Sequence, residues 1–357
     1  MGVLIMPVLW RALVLLMIVM PVAAVEVPDL YTGVIPVVDQ QEPTRQQAEM
    51  AAMQQVLTKV SGSSALLSHT LVQDNLKKAS SFVQRYQFKL QSPASDAPAD
   101  TPKQLVLEAS FDQRAIDRLI QAAAAPIWGK RRPLTLMWLA VADSSGRKLI
   151  GDDNEPSVIR DIQDASRDLG VPVLLPLLDL EEAAAINISD VWGRFLDPMT
   201  EYSSRYAADA TLVGRLEQQA NQWQAEASLL HGQFRESFMA SGANRAEAVR
   251  QLMAQIASFY ADKYAVVIDL SKDAQQWVKV YGVSELRDYG KLTNFLQSLQ
   301  SVQQVDVVKV EPNQITYSLR LIAEQAAFLQ ALTLDGRLQL VPESAFTTEL
   351  EFHWTPR

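Results

Sequence analysis

The chain has no cysteine, only three histidines, and no long apolar run after its first 24 residues. Without cysteine there can be no disulfide, thiolate metal site, cysteine nucleophile or lipidated cysteine of an exported lipoprotein. His69, His231 and His353 stand far apart, and none has the spacing of a metal-ligand pair. Satisfied or exposed histidines are the simpler reading. There is no Gly-x-Ser-x-Gly, phosphate loop or dinucleotide fingerprint. Gly129-Lys130 lacks the upstream glycine of a phosphate loop. Ser145-Gly146-Arg147-Lys148 matches Ser-x-x-Lys without its companion motifs, and Gly146 marks a surface turn. No cofactor, metal or catalytic residue is therefore assigned. A membrane-spanning helix takes about 20 apolar residues. The later apolar stretch at 171–178 is shorter and holds Pro172 and Pro176.

The N-terminus carries what the rest lacks. Arg11 is followed by an unbroken apolar run from Ala12 to Met20, then Pro21 and Val22-Ala23-Ala24. That is a signal-peptide pattern, with small residues where a peptidase cuts. Cleavage after about Ala24 is expected, giving an exported, periplasmic protein with no transmembrane segment left. The alternative is an uncleaved N-terminal anchor. Removing residues 1–24 takes one charge, Arg11, from a chain of 32 basic and 41 acidic residues. The acidic balance disfavours nucleic acid and anionic membrane surfaces. A chain of 357 residues exceeds one ordinary core, so several domains are expected.

The pattern suggests an α/β and α+β multi-domain protein. Two N-terminal α/β units, 25–125 and 134–268, precede a ferredoxin-like β-α-β-β-α-β unit at 277–341. In the first unit a strand at 30–38 is followed by a helix opened by Pro43 and stopped near Gly62. Two strands flanking the polar loop 92–103 suggest a hairpin. The segment 126–133, with Lys130, Arg131 and Arg132 between prolines, reads as a solvated linker. Both it and the 92–103 loop are expected to be cut early by a protease. Acids at Asp152, Asp153 and Glu155 suit a helix start better than a calcium site. The tail 342–357 reads as short and mobile.

The run Leu30-Tyr31-Thr32-Gly33-Val34-Ile35-Pro36-Val37 resembles a bacterial family. So do Arg45, Ala48, Ala51, Gln55-Val56-Leu57, Lys59-Val60-Ser61-Gly62, Phe82 to Tyr86 and Phe111-Asp112. Asp209-Ala210-x-Leu212-x-Gly214-Arg215-Leu216, with Trp223-x-Ala225 after it, adds to the likeness. The family is the exported domain-of-unknown-function (DUF) 2066 family. The resemblance implies a periplasmic protein with no assigned activity and no functional residues to carry over. The first unit is also similar to N-terminal modules of envelope proteins attached to flagellar basal bodies. The central unit resembles non-catalytic domains of curli-secretion and penicillin-binding-protein activator lipoproteins. All of these likenesses imply envelope assembly.

The resulting expectation is a non-catalytic scaffold or adaptor binding another envelope protein. The alternatives are a cell-wall or carbohydrate-active enzyme with paired carboxylates, or a small-ligand binder using a cleft between the first two units. Strand alternation locates a candidate interface. Val278 and Val280 suit the helix-covered face of the last unit, so Trp277, Lys279 and Tyr281 share the other. Ile315, Tyr317, Leu319 and Leu321 point to the helices, while Thr316, Ser318 and Arg320 do not. Trp277, Lys279, Tyr281 and Arg320 should then lie on one open surface, with aromatics beside arginine as in interface hot spots.

Overall fold

The computed structural model describes residues 25–93, 98, 100–143, 146–269, 274–335, 337–342, 344 and 348–355. The expected signal peptide, 1–24, lies outside the described residues. No helix among them is long and apolar enough to cross a membrane. The architecture is mixed α/β, with each larger sheet backed by its own apolar core.

The chain opens with β1 (Val25–Glu26) and β2 (Thr32–Pro36). Helix α1 (Glu42–Ser61) has proline in its first turn. It ends where Gly62 adopts φ 73° and returns its N–H to Thr58 O. Then come α2 (Thr70–Leu76), β3 (Val83–Gln91), β4 (Gln104–Phe111) and α3 (Gln113–Ala122). Asp112 caps α3 by accepting from Ala115 N. The strands pair antiparallel in the order β2-β4-β3. Ala52, Met53, Val56 and Leu57 of α1 pack with Leu107 and Ile116. Gly33 lets β2 lie directly on α1, because a Cβ there would sit 2.7 Å from Ala52 O.

The basic segment is not a solvated linker. Arg131 and Arg132 form β5 (Arg131–Arg132), which pairs with β1. Arg132 is completely buried.

The central sheet begins with β6 (Thr135–Asp143), β7 (Gly146–Ile150), α4 (Pro156–Leu169) and β8 (Val173–Leu174). Three short helices follow: α5 (Leu180–Ala185), α6 (Ile188–Trp192) and α7 (Leu196–Ser203). The meander β9 (Ala210–Gln219), β10 (Gln222–His231) and β11 (Phe234–Gly242) leads into α8 (Arg245–Tyr264). The order is β11-β10-β9-β6-β7, with β8 pairing the start of β6. β6 runs parallel to β9. Helices α4 and α8 cover one face through Ile159, Ile162, Leu252 and Ile256. Helices α5 to α7 cover the other, where Ile186, Val191 and Met199 meet Leu136, Trp138 and Val213. β6 is thus buried on both sides over most of its length, so Leu136 to Ala142 is an unbroken apolar run and not an alternation.

The last sheet holds β12 (Ala274–Tyr281), α9 (Leu286–Gln297), β13 (Val302–Glu311), β14 (Gln314–Leu321), α10 (Gln325–Asp335), β15 (Leu338–Leu340) and β16 (Glu349–Trp354). Its order is β13-β14-β12-β16-β15. A four-stranded ferredoxin-like sheet would place β15 beside β12. Here β16 takes that position, parallel to β12 and antiparallel to β15. The tail expected to be mobile is therefore an interior strand. Its alternation of Leu350, Phe352 and Trp354 delivers three buried side chains to the core.

Candidate functional site

The open face of the last sheet carries the residues singled out by alternation. Val278, Val280, Ile315, Tyr317, Leu319 and Leu321 enter the helix-covered core. Trp277, Lys279 and Tyr281 point the other way, and Trp277 is 36% exposed. Trp277 pairs with Ser318, and the neighbouring Gln275 pairs with the exposed Arg320. Trp277 and Arg320 are therefore diagonal neighbours. Tyr281 shares their face but pairs with Gln314. It lies four residues, or about 13 Å, along the strand from Trp277.

The tail strand changes this face. It places Glu349, Glu351 and His353 opposite Trp277, Lys279 and Tyr281. Lys279 Nζ lies 3.5 Å from Glu349 and 3.4 Å from Glu351. Desolvation opposes its charge, but Glu349, Tyr281 and Glu351 win and raise its pKa. The Tyr281 hydroxyl donates to Glu351 at 3.0 Å, and its ring lies 5.5 Å from the His353 ring. Partial burial and Glu351 raise the Tyr281 pKa. Lys279 and Tyr281 are thus engaged within the chain, while Trp277 is the exposed aromatic. Sequence reasoning missed Glu349, Glu351 and His353, although the Glu349–Trp354 alternation was a readable signal.

A cleft of about 530 Å³ lies where the 126–133 segment meets the last sheet's helices, with Glu26, Trp128, Lys130, Arg131, Gln300 and Ser301 among its lining residues. A second cleft, of about 430 Å³, lies between the first two units, lined by Thr58, Gly62 and Ser64 on one side and Leu169, Arg250 and Ala254 on the other. Trp128 and Ser301 are 1% exposed, and neither Trp128 Nε1 nor Ser301 Oγ has a hydrogen-bond partner among the described residues. Glu26, its carboxylate, lies 3.6 Å from Arg131. Arg131 also stacks on Phe295 at 4.6 Å, which ties the segment to the last sheet. Such a cleft suits a small polar molecule better than two-carboxylate hydrolysis. A shallower groove of about 400 Å³ includes Glu285 and Glu311. Glu311 is held by Lys309 at 2.9 Å and Gln314 at 2.6 Å.

The histidines have structural surroundings. His69 caps α2 by accepting from Leu71 N. His231 is buried, with Nδ1 2.9 Å from Asp209 O and Nε2 against the Tyr264 hydroxyl. Desolvation lowers its pKa. Among the described residues no group of three or more His, Cys, Asp or Glu is placed to hold a metal ion. Glu155 precedes α4 as its N-cap residue, but its side chain makes no cap and no acid lies in the first turn, so the acidic helix start is not seen; its carboxylate takes Lys148 Nζ at 2.7 Å instead.

Residues 24–129 match a family model described as a domain of unknown function (DUF8605). This corrects the likeness to the DUF2066 family, because the motifs from Leu30 to Asp112 lie within the matched range. Two of those motif positions report local packing in this chain. Gly33 is required by its contact with Ala52, and Gly62 by its left-handed helix cap. No curated protein matches the chain.

Proposed function

We propose that this chain is an exported, non-catalytic scaffold or adaptor that binds another envelope protein through the open face of its last sheet. One observation carries the reading: Trp277 stands exposed on a sheet face where Gln275, Asp306, Lys309 and Arg320 are also exposed, although Thr316 and Ser318 at its centre are buried and Lys279 and Tyr281 half-buried. A large aromatic held by rigid strands is a typical anchor for a protein partner. The face mixes both charge signs, and the whole chain is acidic, which disfavours nucleic acid. The apolar run 12–20 followed by Val22-Ala23-Ala24 supports export. We read β12 to β15 as a ferredoxin-like core widened by β16, and the three larger cores as three domains.

The test combines location with contact. The mature protein should begin at Val25 in the periplasmic fraction, and in-cell cross-linking should join the Trp277 face to one partner. Trp277→Ala should leave the melting temperature nearly unchanged and abolish that cross-link. Met1 on a membrane-bound chain would refute export, and a cross-link that survives Trp277→Ala would refute the face.

The junction cleft supports a different reading, small-ligand binding, because it leaves Trp128 Nε1 and Ser301 Oγ without partners among the described residues. On this reading native mass spectrometry of periplasmic protein shows a co-purifying small molecule, which Lys130→Glu loses. Bare protein in both samples would reject it.

A further inference from the structure

A cluster of arginines stands on the central sheet, on the face partly covered by α5 to α7. Arg215 of β9 lies directly opposite Glu226 of β10, and Met239 of β11 lies opposite Glu226 on the far side. Arg147 of β7 and Arg215 oppose Ala142 and Ala140, two positions apart on β6, so both arginines share this face. Trp192 ends α6, and the turn after it brings in Arg194. Arg215 Nη2 lies 2.8 Å from one Glu226 oxygen, and Arg194 Nη2 lies 2.9 Å from the other. Glu226 is only 6% exposed. The Arg147 and Arg215 guanidiniums lie over the Trp192 ring at 4.1 and 5.5 Å.

Three features distinguish this cluster from an ordinary surface ion pair. First, the charges do not balance. Three guanidiniums meet one carboxylate, and Arg147 has no ion pair among the described residues. Glu217, next on the same face of β9, accepts from Gln219 Nε2 and is not paired with any of the three arginines. A local cationic surplus in an acidic chain is an attractive target for an anion. Second, Arg194 is held in place by an unusual backbone. Its φ is 59°, a region that costs a non-glycine residue roughly 1 kcal/mol or more. The turn is fixed by Phe195 N donating to Asp190 O at 3.0 Å, and by Gly193, where a Cβ would sit 2.8 Å from the Phe195 ring. Third, the charges have apolar flanks: Phe195 is 56% exposed and Met239 is 65% exposed.

We propose that this surface docks an acidic peptide segment of a protein partner, one bearing at least two carboxylates and a large apolar side chain. Arg147 and Arg215 sit two strands and two residues apart, roughly 12 Å between their backbones, and both guanidiniums reach the Trp192 ring. Arginines drawn from separate elements and flanked by the exposed Phe195 and Met239 suit several carboxylates and an apolar side chain of one peptide. Glu226 orients two of the forks, and Trp192 supports the third, so the donors are held before the partner arrives. Phe195 and Met239 supply the apolar contact beside them. The site is separate from the Trp277 face and does not depend on it.

The test uses the full mature chain and a fluorescently labelled, terminally blocked peptide, Asp-Glu-Phe-Glu-Asp. Anisotropy should show saturable binding that weakens as salt rises. Arg147→Ala should weaken it at least tenfold with an unchanged melting temperature, because Arg147 is exposed. Met239→Ala should weaken it less, and Trp277→Ala should have no effect. Inorganic phosphate at millimolar concentration should compete no better than chloride at equal ionic strength. Absence of binding, equal binding by Arg147→Ala, or equal binding by inorganic phosphate or anionic lipid vesicles would overturn the proposal.

Discussion

Replacing Arg132 with alanine should cost about 3–5 kcal/mol of stability, the range for stripping the partner from a buried charge arrangement. The Arg132 guanidinium is fully buried and donates to five backbone carbonyls. These are Lys59 O at 2.7 Å, Gly170 O at 2.8 Å, Trp128 O at 3.0 Å, Gly129 O at 3.1 Å and Leu169 O at 3.3 Å. Lys59 lies in the last turn of α1, and Leu169 and Gly170 close α4. The cation therefore joins the negative ends of two helices. Its Cζ also lies over the Trp128 ring, 3.8 Å from the ring centroid. Desolvation lowers its pKa, yet the dipoles and the stacked ring keep the charged form in place. Alanine would leave buried carbonyls without a donor, each at a cost of about 1–3 kcal/mol before relaxation. Lysine should not rescue the loss, since one ammonium cannot reach all five acceptors. Gly170→Ala should act on the same joint. Its φ is 65°, and a Cβ would stand 2.5 Å from Arg132 Nη1. Urea denaturation measures the loss, and a loss below about 1 kcal/mol for Arg132→Ala would contradict the role given to this joint.

The same residue marks how far the sequence could be read. Lys130-Arg131-Arg132 between prolines has the composition of an exposed linker. Nothing in it announces burial, because Arg132 is satisfied by backbone carbonyls from helices 37 to 73 residues away, and carbonyls leave no trace in a sequence. Strand alternation was legible where one face is dry: Val278, Val280, Tyr317 and Leu319 are buried as their positions suggested. The helix boundaries at Pro43 and Gly62 were legible through backbone preference. The arginine cluster was not. Ser145-Gly146-Arg147-Lys148 has the composition of a surface turn, and Arg147 gains its meaning only when Trp192 and Arg215 arrive from other elements. The open face was legible in its members but not in its electrostatics, because Glu349 and Glu351 come from a segment whose shortness and position suggest a loose tail.

Truncating the chain after Val341 should unfold the last sheet rather than trim a loose end. The deletion removes β16, whose backbone pairs with β12 from Trp277 to Tyr281 and with β15 from Leu338 to Leu340. It also withdraws Leu350, Phe352 and Trp354 from the core formed with Val280, Leu292, Phe295 and Tyr317. Each such side chain contributes about 1.5–3 kcal/mol by burial, so the three together supply roughly 5–9 kcal/mol. That is comparable to the whole stability of a typical domain. β15 has only three residues, so even if it moved in beside β12 it would offer fewer pairings than the five that β16 makes there. On the open face, Lys279 would lose Glu349 and Glu351 together. Hydrogen exchange should then be fast throughout β12, β13 and β14 of the truncated protein. β4, β6 and β9 should stay protected, because their cores do not include the last strand. Replacing Phe352 with alanine should move the same region in the same direction, by about 3–5 kcal/mol. A truncated chain that keeps slow exchange in β12 and β14 would show that β16 is dispensable and that the four preceding strands form a sheet on their own.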